Sequence, residues 1–313
     1  MGESIRVVEI DGRRLTLTNL DRVLWPDDGY TRLDLLEYYQ GIAPHLMPCL
    51  ADRPVAVVLA PGGLRGEAVY HGQAMPGLPA WINVRRIRSD TAPAGHVSCL
   101  VGTDRATLSY LVNLGCVSFH QWNATFNAVD RPCELRFDLD AVELPFRDVR
   151  AAAFLVRELL VARGLRSWVK TSGGTGLHIM VPLEGKESGD RVLAFASTIA
   201  RQAVARAPRL FTLEMRRNRR RDSVLVDIHR NPRGSTLISA YSVRTRPGAP
   251  GSMPLEWPEL ERNIYPEEFH ITNAAQRIAE RGDPLAEFFR SPQRLDLTED
   301  LPPTRRGRGG PNP

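Results

Sequence analysis

A chain of 313 residues, 42% hydrophobic and 25% charged, has the material for one large domain or two small ones and the balance of an ordinary globular protein. It holds no run of 18 or more apolar residues, and Met1 to Asp11 carries acidic residues without an apolar core; neither a membrane span nor a secretory signal is expected, and a cytoplasmic location is the default. The formal net charge of +5 suits a polyanionic partner without requiring one.

The positive charge is almost all arginine, since Lys170 and Lys186 are the only lysines. Guanidinium groups grip phosphate as a fork and stack on bases, which is compatible with nucleic-acid work. Codon bias in a GC-rich genome would produce the same excess. Cys49, Cys99, Cys116 and Cys133 form no Cys-x-x-Cys pair, so they are read as reduced, partly buried thiols rather than a zinc site.

In chain order, Thr31 with Asp34 predicts a capping box opening a helix, with Leu33, Leu36, Tyr38 and Tyr39 on its apolar face and Pro44 and Pro48 breaking it. Residues 54–60 read as a buried strand and Pro61 to Gly77 as a glycine-rich loop. A helix from Asp104 to Leu114 stops at Gly115. Residues 134–140, ELRFDLD, alternate as a strand, and Asp148 to Arg163 form a helix closed by Gly164. SWVKTS and LHIMVPL flank the turn GGTG as a hairpin, and Asp190 to Arg206 is helical. Strands are expected at 223–229 and 235–244 with Asn231 to Gly234 as the turn between them, followed by short helices at Asn273 to Arg281 and Pro284 to Phe289. The class is α+β, or mixed α/β, and Pro302 to Pro313 is a low-complexity tail expected to be disordered.

Alternate residues of a strand share a face, so Leu135, Phe137 and Leu139 point to the core while Asp138 and Asp140 point together to the other side. Two carboxylates about 7 Å apart repel, and a hard divalent cation between them removes that cost. A solvated face is the plainer reading. Asp227 is an aspartate inside an apolar strand, which calls for a partner: a metal ion, or an ion pair to Arg230 or to the cluster Arg216 to Arg221. The turn Ser172-Gly173-Gly174-Thr175-Gly176-Leu177-His178 lets backbone N–H groups approach an anion, with Ser172 and His178 at its shoulders; it is not a Walker A loop, and a simple glycine hairpin is the alternative. Arg244 and Arg246 are expected on one face of a strand end, where an anion such as a triphosphate would relieve their repulsion; a pair of surface arginines is the alternative.

The order of these pieces resembles the archaeo-eukaryotic primase superfamily. The likeness is greatest to the polymerase domain of bacterial ATP-dependent DNA ligase D and its stand-alone relatives, and it runs from Leu17-Thr18-Asn19-Leu20-Asp21 to Pro254-Leu255-Glu256-Trp257. The resemblance implies one primase-polymerase domain over 1–300, with two α/β subregions around a cleft, an RRM-like antiparallel sheet packed by helices, and a tail at 301–313. It implies that Asp138, Asp140 and Asp227 hold two Mn2+ or Mg2+ ions. Ser172, His178, Arg230, Arg244 and Arg246 would bind the incoming NTP or dNTP, with His120 near its sugar. Asn19, Arg22 and Arg32 would take a DNA 5′-phosphate, and Tyr70 would stack on the template. The implied activity is template-directed addition of nucleotides to a 3′-hydroxyl in gapped, nicked or broken DNA, by a monomer that works with a DNA ligase and a Ku-type end-binding protein. A non-catalytic DNA-end-binding module that recruits a ligase is the alternative, and a metal-dependent nuclease is a third reading. The chain departs from the family at Thr175, where lysine is usual, at Arg22 and Arg32 in place of lysines, at Val57 to Pro61, and at Ala68 to His71, where paired phenylalanines are common.

Overall fold

The computed structural model of the protein describes residues 5–220, 222–262 and 264–297; the tail at 301–313 lies outside them. The N-terminal strands β1 (Ile5–Ile10) and β2 (Arg13–Thr18) pair as a hairpin, and β3 (Val23–Trp25) pairs with β4 (Tyr30–Thr31). The predicted capping box then opens α1 (Arg32–Leu50): the Thr31 hydroxyl accepts from the Asp34 N–H at 3.3 Å, and the Asp34 carboxylate accepts from the Thr31 N–H at 2.6 Å. Contrary to expectation, Pro44 and Pro48 do not break this helix. They lie one turn apart on its exposed stripe, so the carbonyls of Gln40 and Pro44 that lose an N–H partner lie on the solvent side, while Ile42, Ala43, Leu46, Cys49 and Leu50 pack inward.

The chain continues through β5 (Pro54–Leu59), β6 (Val69–His71), β7 (Val84–Arg88), β8 (His96–Val101), α2 (Arg105–Asn113) and β9 (Cys116–Trp122). The segment 61–77 is therefore not all loop, because β6 pairs with β5. Next come β10 (Glu134–Asp140), α3 (Phe146–Ala162), β11 (Trp168–Thr171), β12 (Leu177–Pro182), α4 (Gly189–Arg206), β13 (Phe211–Thr212), β14 (Val224–Asp227), β15 (Thr236–Ile238) and β16 (Pro254–Leu255). The helices α5 (Trp257–Glu261) and α6 (Ala274–Arg281) close the fold. The helix expected at Pro284 to Phe289 is instead a turn leading into a 3-10 turn at Phe288–Arg290.

Two larger sheets result, giving a mixed α/β fold. The first runs β15-β9-β5-β8-β7, with β6 also on β5; the second runs β13-β14-β10-β12-β11-β16. The second is antiparallel except for β13 beside β14, and α3 and α4 pack on it, against β10 among others. This is the RRM-like layer, but it does not stand alone, since the other sheet faces it. The turn at Asn231 to Gly234 does not close a hairpin: β14 belongs to the second sheet and β15 pairs with β9 of the first. The strand expected over 235–244 stops at Ile238, and Tyr241, at a φ of +64°, ends any extended run.

A buried ionic cluster joins the sheets. Glu134 pairs with Arg53 and with Arg136, each at 2.6 Å, and Arg136 donates to the carbonyls of Gln121 and Trp122 on β9. Glu134, Arg136, Asp138 and Asp140 share one face of β10. That face is turned toward β9 of the first sheet, to which Arg136 bonds, while Leu135, Phe137 and Leu139 are fully buried on the helix side.

Candidate active site

The carboxylates gather at the centre of the second sheet. Asp138 and Asp227 are direct partners across the β10–β14 ladder, and Asp140 lies one step along, opposite Leu225. Antiparallel register thus does what neither strand does alone: it sets an acidic residue of one strand beside an acidic residue of the next. Their charges are met by guanidinium groups. Arg230 reaches Asp227 at 3.2 Å and Asp138 at 3.4 Å, and Arg220 reaches Asp140 at 3.0 Å. The ion pair expected as the alternative for Asp227 is therefore present. Asp227 also accepts from the His229 N–H at 2.7 Å.

Oxygen donors of this kind suit hard divalent cations, and the arginines occupy the places a positive charge would take. Among the described residues no three Asp, Glu, His or Cys side chains already converge as a cage. The donor set fits magnesium or manganese, and holding such ions requires Arg220 and Arg230 to yield their carboxylates. Burial works against the charge of Asp138, but His178 and Arg230 beside it outweigh that and hold its carboxyl below the usual range.

The glycine turn stands over this centre. The Ser172 hydroxyl accepts from the N–H groups of Gly174 and Gly176, so it braces the turn from within. Gly173 has a φ of +69°, and a Cβ there would lie 2.7 Å from Arg244 Cγ; a Cβ on Gly176 would lie 2.4 Å from the Leu139 carbonyl oxygen. The glycines are thus demanded by close approach to the arginine segment on one side and to β10 on the other.

Arg244 and Arg246 lie against the turn, and not on a strand end. They lie in an irregular segment held by a single bridge between Val243 and Gly251. Arg244 donates from Nε to the Ser172 carbonyl at 3.0 Å, and Trp25 Nε1 donates to the Arg246 carbonyl at 2.8 Å. Burial, with Arg246 and Arg230 nearby, lowers Arg244 to about 10, so it stays charged at neutral pH.

His178 is buried, with Nε2 at 3.3 Å from Asp138 and Nδ1 at 2.7 Å from Lys170 Nζ. Burial and the Lys170 charge lower it to about 4. His120, on β9 of the first sheet, is lowered to about 3 by burial and by Arg244 and Lys170. Its Nε2 is buried without a hydrogen-bond partner, which marks it as a group able to meet a ligand. Tyr70 is half exposed, edge-on to His120 at 5.7 Å, and its hydroxyl is 2.8 Å from that of Thr236.

Asn19, Arg22 and Arg32 come together at the mouth of α1. The Arg22 N–H donates to the Asn19 carbonyl, and the Arg32 N–H donates to the Arg22 carbonyl. Arg32 is buried, donates from Nη1 to the Thr18 carbonyl at 3.1 Å, and has a buried Nε without a hydrogen-bond partner. Sequence reasoning assigned no role to Lys170 or Ser252, and it offered the cluster containing Arg220 as a partner for Asp227, whereas Arg220 pairs with Asp140. Lys170 carried one signal, being one of two lysines in an arginine-rich chain and set inside an apolar strand.

The sheet that carries the three aspartates, backed by two helices and faced by a second sheet, has the fold of the primase-polymerase class. The chain belongs to the family described as LigD, primase-polymerase domain, which it matches over residues 31–285. It is 32% identical over 287 residues to the multifunctional non-homologous end joining protein LigD of Pseudomonas aeruginosa, covering 89% of this chain and 33% of that protein. It is 29% identical over 294 residues to the bifunctional non-homologous end joining protein LigD of Bacillus subtilis, covering 92% and 46%. The chain thus spans between a third and a half of these curated relatives. The solved polymerase domain from Mycobacterium tuberculosis ligase D, in complex with DNA, superposes with a TM-score of 0.83 at 27% identity, covering 90% of this chain and 99% of that one.

Proposed function

We propose that this protein is a template-directed nucleotidyltransferase that adds ribo- or deoxyribonucleotides to a 3′-hydroxyl in gapped, nicked or broken DNA. The observation that carries this is the Asp138–Asp227 cross-strand pair lying under a glycine turn in contact with Arg244 and beside Arg246. Negative donors for cations and positive donors for phosphate meet in one cleft, which is what transfer from a triphosphate needs. The relatives named for non-homologous end joining, and the related domain solved with DNA, support the same reading.

Asp138, Asp140 and Asp227 would hold two Mg2+ or Mn2+ ions, which when bound ease loss of the 3′-hydroxyl proton and neutralise charge on the phosphates. Arg244 and Arg246 grip the triphosphate beside the glycine turn, which Ser172 holds in shape through the Gly174 and Gly176 N–H groups. Arg230 exchanges carboxylate for phosphate contact as the nucleotide enters. His178, neutral at physiological pH, presents one N–H donor to the cleft, and His120 faces the sugar. The 3′-oxygen bonds to the α-phosphorus, the bond from that phosphorus to the β-phosphate bridging oxygen breaks, and pyrophosphate leaves. Asn19, Arg22 and Arg32 take the 5′-phosphate on the far side of the gap, where Arg32 Nε offers an unused donor. Tyr70 offers a half-exposed ring to a template base. A ligase and an end-binding protein of the Ku type are the partners this activity would serve.

The test is extension of gapped, 5′-phosphorylated DNA with manganese and either NTPs or dNTPs. Asp138→Ala and Asp227→Ala should each lower extension by at least about 10³-fold while DNA affinity is largely kept. A wild-type protein that binds DNA and nucleotide-free metal yet extends nothing would be an end-binding module. Release of mononucleotides in place of pyrophosphate would make it a nuclease.

A further inference from the structure

The buried amine of Lys170 sits behind the site and touches none of the carboxylates. It is fully inaccessible, as is Ser252, and His178 is nearly so. A polar group so placed is costly unless it is hydrogen-bonded to specific partners. Lys170 Nζ lies 2.5 Å from Ser252 Oγ and 2.7 Å from His178 Nδ1. The Ser252 hydroxyl donates its own hydrogen to the Thr171 carbonyl at 2.7 Å. Ser252 Oγ therefore accepts from Lys170. On the far side of the ring, His178 Nε2 lies 3.3 Å from the Asp138 carboxylate, which can only accept, so Nε2 carries the proton of the neutral ring and Nδ1 is left to accept from Lys170.

We propose that Lys170 is a positioning residue: by donating to His178 Nδ1 it fixes the imidazole as the Nε2–H tautomer, so that the ring always offers a donor to the cleft. Which nitrogen of a histidine carries the proton is set by the bond its other nitrogen makes. With Nδ1 occupied as an acceptor, Nε2–H points at Asp138, 3.3 Å away, when the cleft holds no nucleotide, and at a phosphate oxygen when it does. Without Lys170 the ring is free to take the other tautomer and to turn a lone pair toward an anion, which repels it. The backbone supports the same assignment. Lys170 and His178 are direct partners in the β11–β12 register, so the two strands of the hairpin place the amine behind the ring, while the glycine turn they flank stands in front. Burial and the nearby Arg244 charge push the Lys170 amine well below its ordinary value, which strips it of any role as a free surface cation.

This inference rests on the nucleotidyl-transfer reading, and its tests separate the two. The first uses the wild-type protein alone: nitrogen-15 correlation spectra of the His178 ring should show the proton on Nε2 and an acceptor at Nδ1. A proton on Nδ1 would overturn the proposal whatever the enzyme does. The second is a double-mutant cycle on manganese-dependent ATP binding, followed by calorimetry, with Lys170→Met, His178→Ala and the double variant. Removing the partner that orients a histidine costs on the order of 10–100-fold in the function that histidine serves. Lys170→Met should weaken ATP by that range and have no further effect once His178 is alanine. Equal weakening by Lys170→Met with or without His178 would show a strut and sink the idea. If Lys170→Met does not fold, Ser252→Ala, which keeps the lysine but removes one anchor, should show a smaller loss with the same dependence on His178. Wild-type protein that binds no ATP would defeat the functional reading, while the ring spectra would still decide the tautomer.

Discussion

Two glycines in the turn over the carboxylates separate local strain from steric contact. Gly173 needs its positive φ and has Arg244 Cγ where a Cβ would go. Gly173→Ala should cost about 1–2 kcal/mol in stability for the left-handed backbone, and by displacing Arg244 it should weaken ATP more than it lowers the melting temperature. Gly176→Ala meets a backbone oxygen that cannot swing away, so its loss of about 3 kcal/mol should appear in the melt itself. His120 gives a prediction with a sign. Burial first, then Arg244 and Lys170, lower it from an ordinary 6.5 to about 3, so the unfolded chain binds the extra proton between those values. Its contribution is present above pH 6.5 and lost as pH falls, with a slope of up to about 1.4 kcal/mol per unit. Urea midpoints from pH 6.5 to 5, above the carboxylate range, should fall less steeply for His120→Asn than for wild type; parallel curves would refute it.

At the scale of elements, the strand carrying the carboxylates is anchored at its other end by ions. Glu134 is buried between Arg53 and Arg136, and these bonds tie β10 to the residue that precedes β5 and to β9. Burial opposes the Glu134 charge, but the two arginines overcome it and lower its carboxyl. Glu134→Ala leaves two buried guanidiniums without their counter-charge and should destabilise by about 3–5 kcal/mol in urea unfolding. Asn231 plays the matching part where the chain crosses between sheets. Its side chain accepts from the Arg136 N–H and donates to the carbonyls of Arg136 and Ile228, bonds a hairpin turn would not need. The capping box, the α1 start, the β10 span and the β11–β12 hairpin were legible because each is set by neighbours in sequence. The persistence of α1 through Pro44 and Pro48 was not, because it depends on which face tertiary packing leaves in water.

For the molecule as a whole, the packing of the two sheets decides which charges are buried and which stay in solvent. Arg22 is exposed beside the buried Arg32, and both lie at the entrance formed by the β3–β4 pair and α1. Duplex affinity measured by fluorescence anisotropy should fall linearly on logarithmic axes as salt rises, because phosphate contacts release counterions. Arg22→Ala should reduce that slope by about one. Its affinity loss should be larger on gapped DNA with a 5′-phosphate than without; equal loss on both would remove Arg22 from the phosphate site.

The acidic strand, the glycine turn, the arginine pair and Asp227 all belong to the chain itself, since alternation and turn chemistry act over a few residues and need no distant partner. The residue pattern therefore determined which groups are available and on which side of a strand they stand. Only the tertiary structure decided that Asp138 faces Asp227, that β14 and β15 part into different sheets, and that Ser252 anchors Lys170. Those pairings depend on register and on long-range closure, where burial, ionic locks and close glycine contacts choose among arrangements that local rules leave equal.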